Sequence, residues 1–568
     1  HIEDTVLGTG FSGSVFRAIG KHNGLVYAVK GFLLTGMTTI EMRSLVKECE
    51  IFLSIDHPHI TRLVGVYQCD SHLNMVMECM EGGELFERIK LLKTFSENDA
   101  RHAGFQMLLA VKYLHSLNIV HRDLKPENFL YDKKDSDHLK LIDFGLSHIW
   151  KPNTKMALSC GTFRYMAPEV VNHSYTLQCD MWSLGVIVFI LLVGYMPFCG
   201  TKEQQVESIT KGEWRRKPER WNKISREGED FVVKLLTVDP EERLTAEQAL
   251  SHVWILQHES QRASDRSVSV DRTIIDSLSH FCQASQFRRM CMSVMAWCLT
   301  QEERNSVHEA FMELDKEKTG YIRLEQLKEV ISERFDITDP AVAPTFASID
   351  GSFDEKIQYT DFLAAMLSTR IKLHEGLLLE TFRRFDVDSS GMITCDDLRQ
   401  ILGGTFTDEE IREFIGEVNV QRVDGCISYE EFLLYLQGEK ASKEHMQIAE
   451  SVFEAEVQQL SIQKNQNQLT AMSSNRSRVS GYERPLVNTD TSSTARSIGP
   501  TDSAGISGSH SLSVMGMAWS FVQTVQSDTM TGTASKDSKT TTMTGHKSCG
   551  SVKSMQLPNA STLGVAPF

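Results

Sequence analysis

The run His121-Arg122-Asp123-Leu124-Lys125-Pro126-Glu127-Asn128, followed by Asp143-Phe144-Gly145, gathers the residue types that phosphoryl transfer needs. Asp123 can accept a hydroxyl proton, Lys125 can hold the γ-phosphate of ATP, and Asn128 and Asp143 can ligate Mg²⁺. A polar turn between two strands would require none of these groups in this order.

Such groups need a nucleotide brought to them. Gly8-x-Gly10-x-x-Gly13-x-Val15 opens the chain. Glycines of this spacing also serve dinucleotide folds and plain turns, and a dinucleotide fold demands a helix directly after them. Here Val15-Phe16-Arg17-Ala18 reads as a strand, and Tyr27-Ala28-Val29-Lys30 follows at hairpin distance. That predicts a glycine hairpin folded over ATP phosphates, with Lys30 as the cation for the α- and β-phosphates. Lys30 needs a carboxylate to orient it, and Glu48 stands on the helix expected from Thr38 to Ile55. Glu50 competes, but two helical residues turn it about 200° away, toward solvent.

The first 80 or so residues alternate short strands with that one helix, and helical patterns dominate from Gly82 to Trp254. Met181 to Cys199 is almost wholly apolar; we expect a buried central helix, started by Asp180 and closed by Gly194 and Pro197, not a membrane span. Met77 is expected beside the adenine, whose edge would meet the Glu78 carbonyl and the Met80 amide. Glu169 of Ala167-Pro168-Glu169 is expected to pair with Arg243, and Asp180 to brace the catalytic loop.

At 568 residues the chain exceeds one hydrophobic core. Hydrophobic content of 41% and charged content of 24% describe a globular protein. A net charge of −16 argues against nucleic acid as partner and suits basic peptides or hard cations. The twelve cysteines form no C-x-x-C pair, signalling neither a cysteine zinc site nor a disulfide framework, which fits a reducing cytoplasm. The chain does not begin with Met, so a longer N-terminus is expected; membrane contact would depend on lipidation there.

Beyond a junction at 255–300, four loops starting near Asp315, Asp350, Asp386 and Val420 recur every ~35 residues, each between helical patterns. Calcium loops of the EF-hand type want oxygens at positions 1, 3, 5 and 7, Gly at 6 and a bidentate Glu at 12. The third comes closest, with Asp386, Asp388, Ser390 and the Met392 carbonyl, Gly391 and Ile393 in place, and Asp397 at position 12. The first has Asp315, Glu317, Thr319 and Gly320 but ends in Gln326. The second has Asp350, Ser352, Asp354 and Asp361 but Glu355 for the Gly. The fourth keeps Gly425 and Glu431 yet presents Val420 and Arg422, unless a bulge brings in Asn419. After about residue 440 the composition turns to Ser, Thr, Gly, Gln and Asn and predicts disorder, with an apolar patch at Val514–Val522.

Residues 1–254 resemble a Ser/Thr protein kinase of the calcium/calmodulin-dependent type. The order of kinase, basic-apolar junction and four EF-hands resembles the calcium-dependent protein kinases of plants and alveolates. The resemblance implies an α+β bilobal kinase (1–254), an autoinhibitory junction (255–300), all-α EF-hand pairs (301–370 and 371–440) and a tail (441–568). It implies an ATP site of Leu7, Gly8, Gly10, Gly13, Val15, Ala28, Lys30, Met77, Glu78, Met80 and Glu84, a Ser/Thr acceptor through Lys125, and a monomer. It also implies that Glu84 and Glu127 hold a basic residue of protein substrates of the Arg-x-x-Ser/Thr kind. A Ser277–Leu299 helix, with Arg288 and Arg289 mimicking substrate, would block the cleft until calcium-loaded EF-hands capture it. Arg122 usually signals control by an activation-loop anion, but the position four before Thr162 holds Leu158. Ser269 of Arg266-Ser267-Val268-Ser269 is a candidate autophosphorylation site. Two alternatives stay open: a kinase whose degenerate EF-hands are structural, and an idle scaffold, against which the intact set Lys30, Glu48, Asp123, Asn128 and Asp143 argues.

Overall fold

The computed structural model describes residues 2–437 except 11–12, 22, 69–70, 93–94, 258–271, 335–355, 368, 370, 372, 403–405 and 420–424, and further on 522–524. The chain divides into one unit running to Leu373, joined by 522–524, and a second unit from His374.

Antiparallel strands β1 (Ile2–Gly10), β2 (Gly13–Ile19), β3 (Val26–Leu33), β4 (Leu63–Gln68) and β5 (His72–Glu78) form a sheet in the order β1-β2-β3-β5-β4. The β1–β2 hairpin closes on the pair Gly10–Gly13, and Gly13 has a φ of +128° that only glycine adopts readily. A strand, not a helix, follows the glycines, which excludes the dinucleotide fold. Helix α1 (Thr39–Leu53) begins with a capping box between Thr38 and Glu41, and buries Leu45, Glu48, Cys49 and Phe52 on one face.

The helical lobe follows, with α2 (Leu85–Leu92), α3 (Glu97–Ser116), α4 (Pro168–Val171) and α5 (Gln178–Val193) around the catalytic loop. Every residue of α5 from Cys179 to Val193 is buried, and Gly194 ends it at a φ of +75°. Asp180 does not cap α5 as expected. It lies in the first turn, because its carboxylate is engaged by the catalytic loop. Among the described residues no helix is long and apolar enough to cross a membrane.

The expected single helix over the junction is two helices, Arg272–Gln283 and Gln286–Cys298. The Ser285 hydroxyl accepts from the Arg288 amide and so starts the second helix afresh. Both helices pack on Tyr359–Met366, with Phe287, Met290 and Val294 buried. The apolar face of the junction helices is thus covered by an EF-hand helix. Strand Tyr321–Arg323 pairs with Lys356–Gln358, and Met392–Thr394 with Cys426–Ser428, so the loops are coupled two by two. Of the tail, only Val522–Thr524 is described, as a strand parallel to β4 on the open edge of the sheet. The rest of the tail, Arg266–Ser269, and the loop residues Asp350, Ser352, Asp354, Val420 and Arg422 lie outside the described residues.

Candidate active site and calcium loops

Lys30 on β3 lies 3.0 Å from the Glu48 carboxylate and 3.0 Å from that of Asp143. Burial disfavours the Lys30 charge, yet Asp143 and Glu48 together outweigh it and raise its pKa. The two acids divide the cation unequally. Burial raises Glu48, whereas at Asp143 the attraction of Lys30 overcomes burial and lowers the pKa, so Asp143 is firmly a carboxylate. Glu50 is half-buried and outside this triad. Phe144 packs between Phe52 of α1 (ring centroids 4.9 Å) and His121 (5.4 Å), tying the helix that carries Glu48 to the catalytic loop.

Like the separate turn at Asp143 (φ 64°), that loop is strained, at Arg122 (φ 68°). Asp180 holds it by accepting from the His121 and Arg122 amides, both at 2.9 Å, while its own charge is supported by His115 at 3.0 Å. Asp123 accepts from Lys125 Nζ at 2.5 Å, and its carbonyl accepts from Asn128 Nδ2 at 2.8 Å. The other Asp123 oxygen accepts from the Thr162 amide (2.8 Å) and hydroxyl (2.7 Å). Thr162 was not foreseen as a neighbour of the base. Gly161 allows its approach: at a φ of +99°, a Cβ there would come within 2.3 Å of the Arg122 carbonyl. Cys160-Gly161-Thr162 shortly before Ala167-Pro168-Glu169 was the available signal.

Arg122 donates to the Leu146 carbonyl at 2.5 Å and to the Tyr175 hydroxyl at 3.4 Å, and Tyr175 in turn donates to the Leu158 carbonyl at 2.7 Å. A neutral tyrosine thus links Arg122 to the segment where an anion would otherwise stand. The expected pair of Arg243 and Glu169 is bidentate, at 2.6 and 3.0 Å, with the arginine side chain fully buried.

The nucleotide residues fall on neighbouring strands. Gly8 pairs with Val15, Val15 with Lys30, and Ala28 with Met77, while Leu7 flanks them on β1 and Met80 and Glu84 follow β5. Glu84 is held above the usual carboxylate range by burial and by Glu127, whose Oε2 is buried with no hydrogen-bond partner.

The side chain of Glu78 has a role that its neighbours in sequence do not suggest. It accepts from Lys140 at 2.6 Å, from the Arg62 amide at 2.8 Å, and from Arg304 of the helix Gln301–Leu314. Burial opposes its charge, yet Lys140 and Arg304 bring its pKa down to about 2; burial pushes Lys140 down to about 8, only partly offset by Glu78. Around this cluster Arg62 donates to the Ala296 carbonyl (2.9 Å) and Thr360 hydroxyl (3.0 Å) and lies 4.3 Å over the Trp297 ring, and Asp56 accepts from the Thr360 amide (2.7 Å). The end of β5 is therefore bonded to the junction and the first EF-hand pair.

In loop one, Asp315 accepts from the amides of Thr319 (2.9 Å) and Gly320 (2.7 Å), while Glu317 turns outward and pairs with Arg323 (3.4 Å). Gln326 at position 12 accepts from the Arg323 amide at 3.1 Å, and Lys112 of α3 donates to the Glu317 carbonyl at 2.5 Å. Of the candidate ligands of loop two only Asp361 is described, pushed up to about 7 by burial and by Asp56. Loop three closes on itself: carboxylate oxygens of Asp386, Asp388 and Asp397 lie within 4.8 Å of one another. Ser390 donates through its amide to Asp386 (2.9 Å) and through its hydroxyl to the Met392 carbonyl (3.1 Å), and Asp397 reaches the Val387 amide (3.1 Å). Burial, with Asp388 and Asp397 beside it, pushes Asp386 up to about 6, a repulsion that a divalent cation relieves. In loop four, Asn419 donates to the Cys426 carbonyl at 2.9 Å and Glu431 accepts from the Ser428 amide at 2.8 Å.

Comparison with known proteins agrees with this geometry. The protein kinase domain matches residues 2–255, and the EF-hand domain pair matches 304–367 and 377–437. Calcium-dependent protein kinase 7 of Arabidopsis thaliana is 34% identical over 454 residues, 77% of this chain and 84% of the relative. Calcium-dependent protein kinase 5 of Plasmodium falciparum is 31% identical over 447 residues, 78% of each chain. The alternative of a calcium-independent kinase is not favoured by such relatives. With a kinase site assembled around Lys30, Glu48, Asp123 and Asp143 and two EF-hand pairs following it in the sequence, the chain belongs to the calcium-dependent protein kinases, Ser/Thr kinases that use ATP, Mg²⁺ and Ca²⁺.

Proposed function

We propose that this kinase phosphorylates Ser or Thr following a basic side chain, and that the junction inhibits it until the EF-hands capture the junction. The observation that carries the substrate reading is the orphaned, buried Oε2 of Glu127 beside a Glu84 whose charge burial disfavours. A guanidinium placed between them satisfies one and neutralises both. Asp123, oriented by Thr162 and Lys125, is suited to take the acceptor hydroxyl proton, and Lys125 to meet the transferred charge. Mg²⁺ suits the oxygens of Asn128 and Asp143, where it would neutralise phosphate charge. Of the calcium loops, the third has the converged carboxylates that fit the ion. Control through Arg122 by phosphorylation finds no support in its bonds to Leu146 and Tyr175. The ten described cysteines are free thiols, which suits a cytoplasmic setting.

The test is phosphorylation of an Arg-x-x-Ser peptide and its Ala-x-x-Ser counterpart, with calcium and with chelator, beside an Asp143→Ala control. Glu127→Gln should lower kcat/KM for the arginine peptide by roughly 10- to 150-fold, the worth of a charged hydrogen bond, and barely alter the alanine peptide. Equal losses on both peptides would overturn the basic-site reading. Equal parent rates with calcium and chelator would overturn the switch.

A further inference from the structure

The described part of the first unit contains a histidine cluster that catalysis does not use. His59 lies before β4, His138 just ahead of the strand Leu139–Leu141, and His308 on the helix Gln301–Leu314. Their ligating nitrogens lie within 4.8 Å of one another, with ring centroids 4.8 Å (His59–His138), 5.4 Å (His59–His308) and 4.9 Å (His138–His308) apart. We propose that these three histidines form a zinc-class metal site joining the kinase domain to the first EF-hand helix.

Two further observations point to a metal. His59 Nδ1 faces the Leu139 carbonyl at 2.9 Å, and His138 Nδ1 faces the Asp132 carboxylate at 3.4 Å. Both partners can only accept, so each Nδ1 carries a hydrogen and Nε2 is the nitrogen left to offer a lone pair to a metal. Metal-bound histidines are usually oriented by such outer partners. The lone-pair nitrogen of His138 is also buried with no hydrogen-bond partner. Asp132 is braced from the helix bearing His308, by Asn305 Nδ2 at 2.9 Å and Gln301 Nε2 at 3.5 Å.

An all-imidazole set suits Zn²⁺ and its borderline neighbours Co²⁺, Ni²⁺ and Cu²⁺, and not Ca²⁺ or Mg²⁺, which want oxygen. Zinc–nitrogen bonds of about 2.0–2.1 Å put tetrahedral ligands roughly 3.4 Å apart, so side-chain rotation must draw the cluster in by no more than roughly 1.4 Å, leaving one position for water. The bound metal bridges segments far apart in sequence and stabilises their docked arrangement.

The test uses the full chain in saturating Ca²⁺ and Mg²⁺, which fill the oxygen sites, titrated with Co²⁺ as the probe. The parent should take up a single Co²⁺ with the intense visible d–d bands of a tetrahedral centre, and Zn²⁺ should bleach them. His308→Phe, which keeps a ring in the cluster, should lose the bands while circular dichroism stays that of the parent. His138→Asn provides the same readout should the first variant misfold. Zn²⁺ should raise the melting temperature of the parent but not of either variant. Absence of tetrahedral bands in the parent, or bands that survive in a folded variant, would overturn the assignment.

Discussion

Replacing Arg304 by Met isolates the contact between the nucleotide side of the kinase and the EF-hand module. Arg304 is 5% exposed, donates at 2.7 Å to the Leu299 carbonyl and at 2.7 Å to Gln301, and contacts Glu78. Methionine keeps the apolar stem and removes the fork. The Glu78 carboxylate keeps Lys140 at 2.6 Å and the Arg62 amide at 2.8 Å, both on Oε1, while Oε2 gives up its Arg304 donor. Across the contact the loss is therefore one charge-assisted hydrogen bond, about 1.5–3 kcal/mol, rather than the larger cost of a buried ion with no partner, while the bonds to Leu299 and Gln301 lie within the junction and EF-hand segment. If docking and undocking of the EF-hand module form a two-state switch, that weakens the docked state roughly 10- to 150-fold. If one calcium ion drives the transition the calcium midpoint moves upward by this whole factor, and if two do, by its square root, about 3- to 12-fold.

The assay is peptide phosphorylation against free calcium, with the exposed Lys211→Met as control, since its i,i+4 pair with Glu207 is a surface one. KM for ATP should stay that of the parent, because what is lost is a bond to the Glu78 side chain and no nucleotide residue changes. In a double-mutant cycle, Glu78→Gln and Arg304→Met should be non-additive. An unchanged calcium midpoint in a folded Arg304→Met protein would refute the reasoning, since a bond that leaves the switch untouched does not belong to it.

Thr162→Val should lower kcat roughly tenfold or more with peptide KM unchanged, because Asp123 loses its 2.7 Å hydroxyl donor, whereas Thr162→Ser should stay near the parent; equal kcat in all three would refute a positioning role. Glu169→Ala leaves the buried Arg243 guanidinium without its carboxylate and should cost about 3–5 kcal/mol, read as a thermal-melting loss far beyond that of Lys211→Met. Lys140 has its folded pKa lowered from 10.5 to about 8, so between those values the unfolded chain binds the extra proton and stability rises with pH. Melting of the parent against Lys140→Met should accordingly shift in the parent's favour from pH 8 to pH 10.5, by up to about 3 kcal/mol, and a constant difference would refute the assignment. Asp397→Glu should tighten calcium at loop three by restoring the longer ligand, and Asp386→Ala should abolish that site; titration calorimetry in which Asp386→Ala still binds there would disprove the choice of loop.

The chemistry was legible where interacting groups are close in sequence or locked to one element. Asp123 and Lys125 are two residues apart and meet at 2.5 Å, and helical phase alone selects Glu48 over Glu50. Carboxylate spacing likewise ranked loop three first, and its three aspartates do converge. Illegible features depend on pairs that only folding brings together. Arg304 reads as an ordinary helix-surface charge until Glu78 meets it, and His59, His138 and His308 share no spacing rule at all. The break at Ser285 was missed because the apolar period runs through it, while one hydroxyl-to-amide bond was enough to restart the helix. The tertiary contacts also give Glu78 two functions at once. Its backbone ends the strand beside the nucleotide pocket, and its side chain binds the helix that leads into the calcium module. Withdrawal of Arg304 takes away one of the two side-chain cations that hold the Glu78 carboxylate down and leaves Lys140 and the Arg62 amide on it, so a change in the EF-hand segment is felt first at the end of β5.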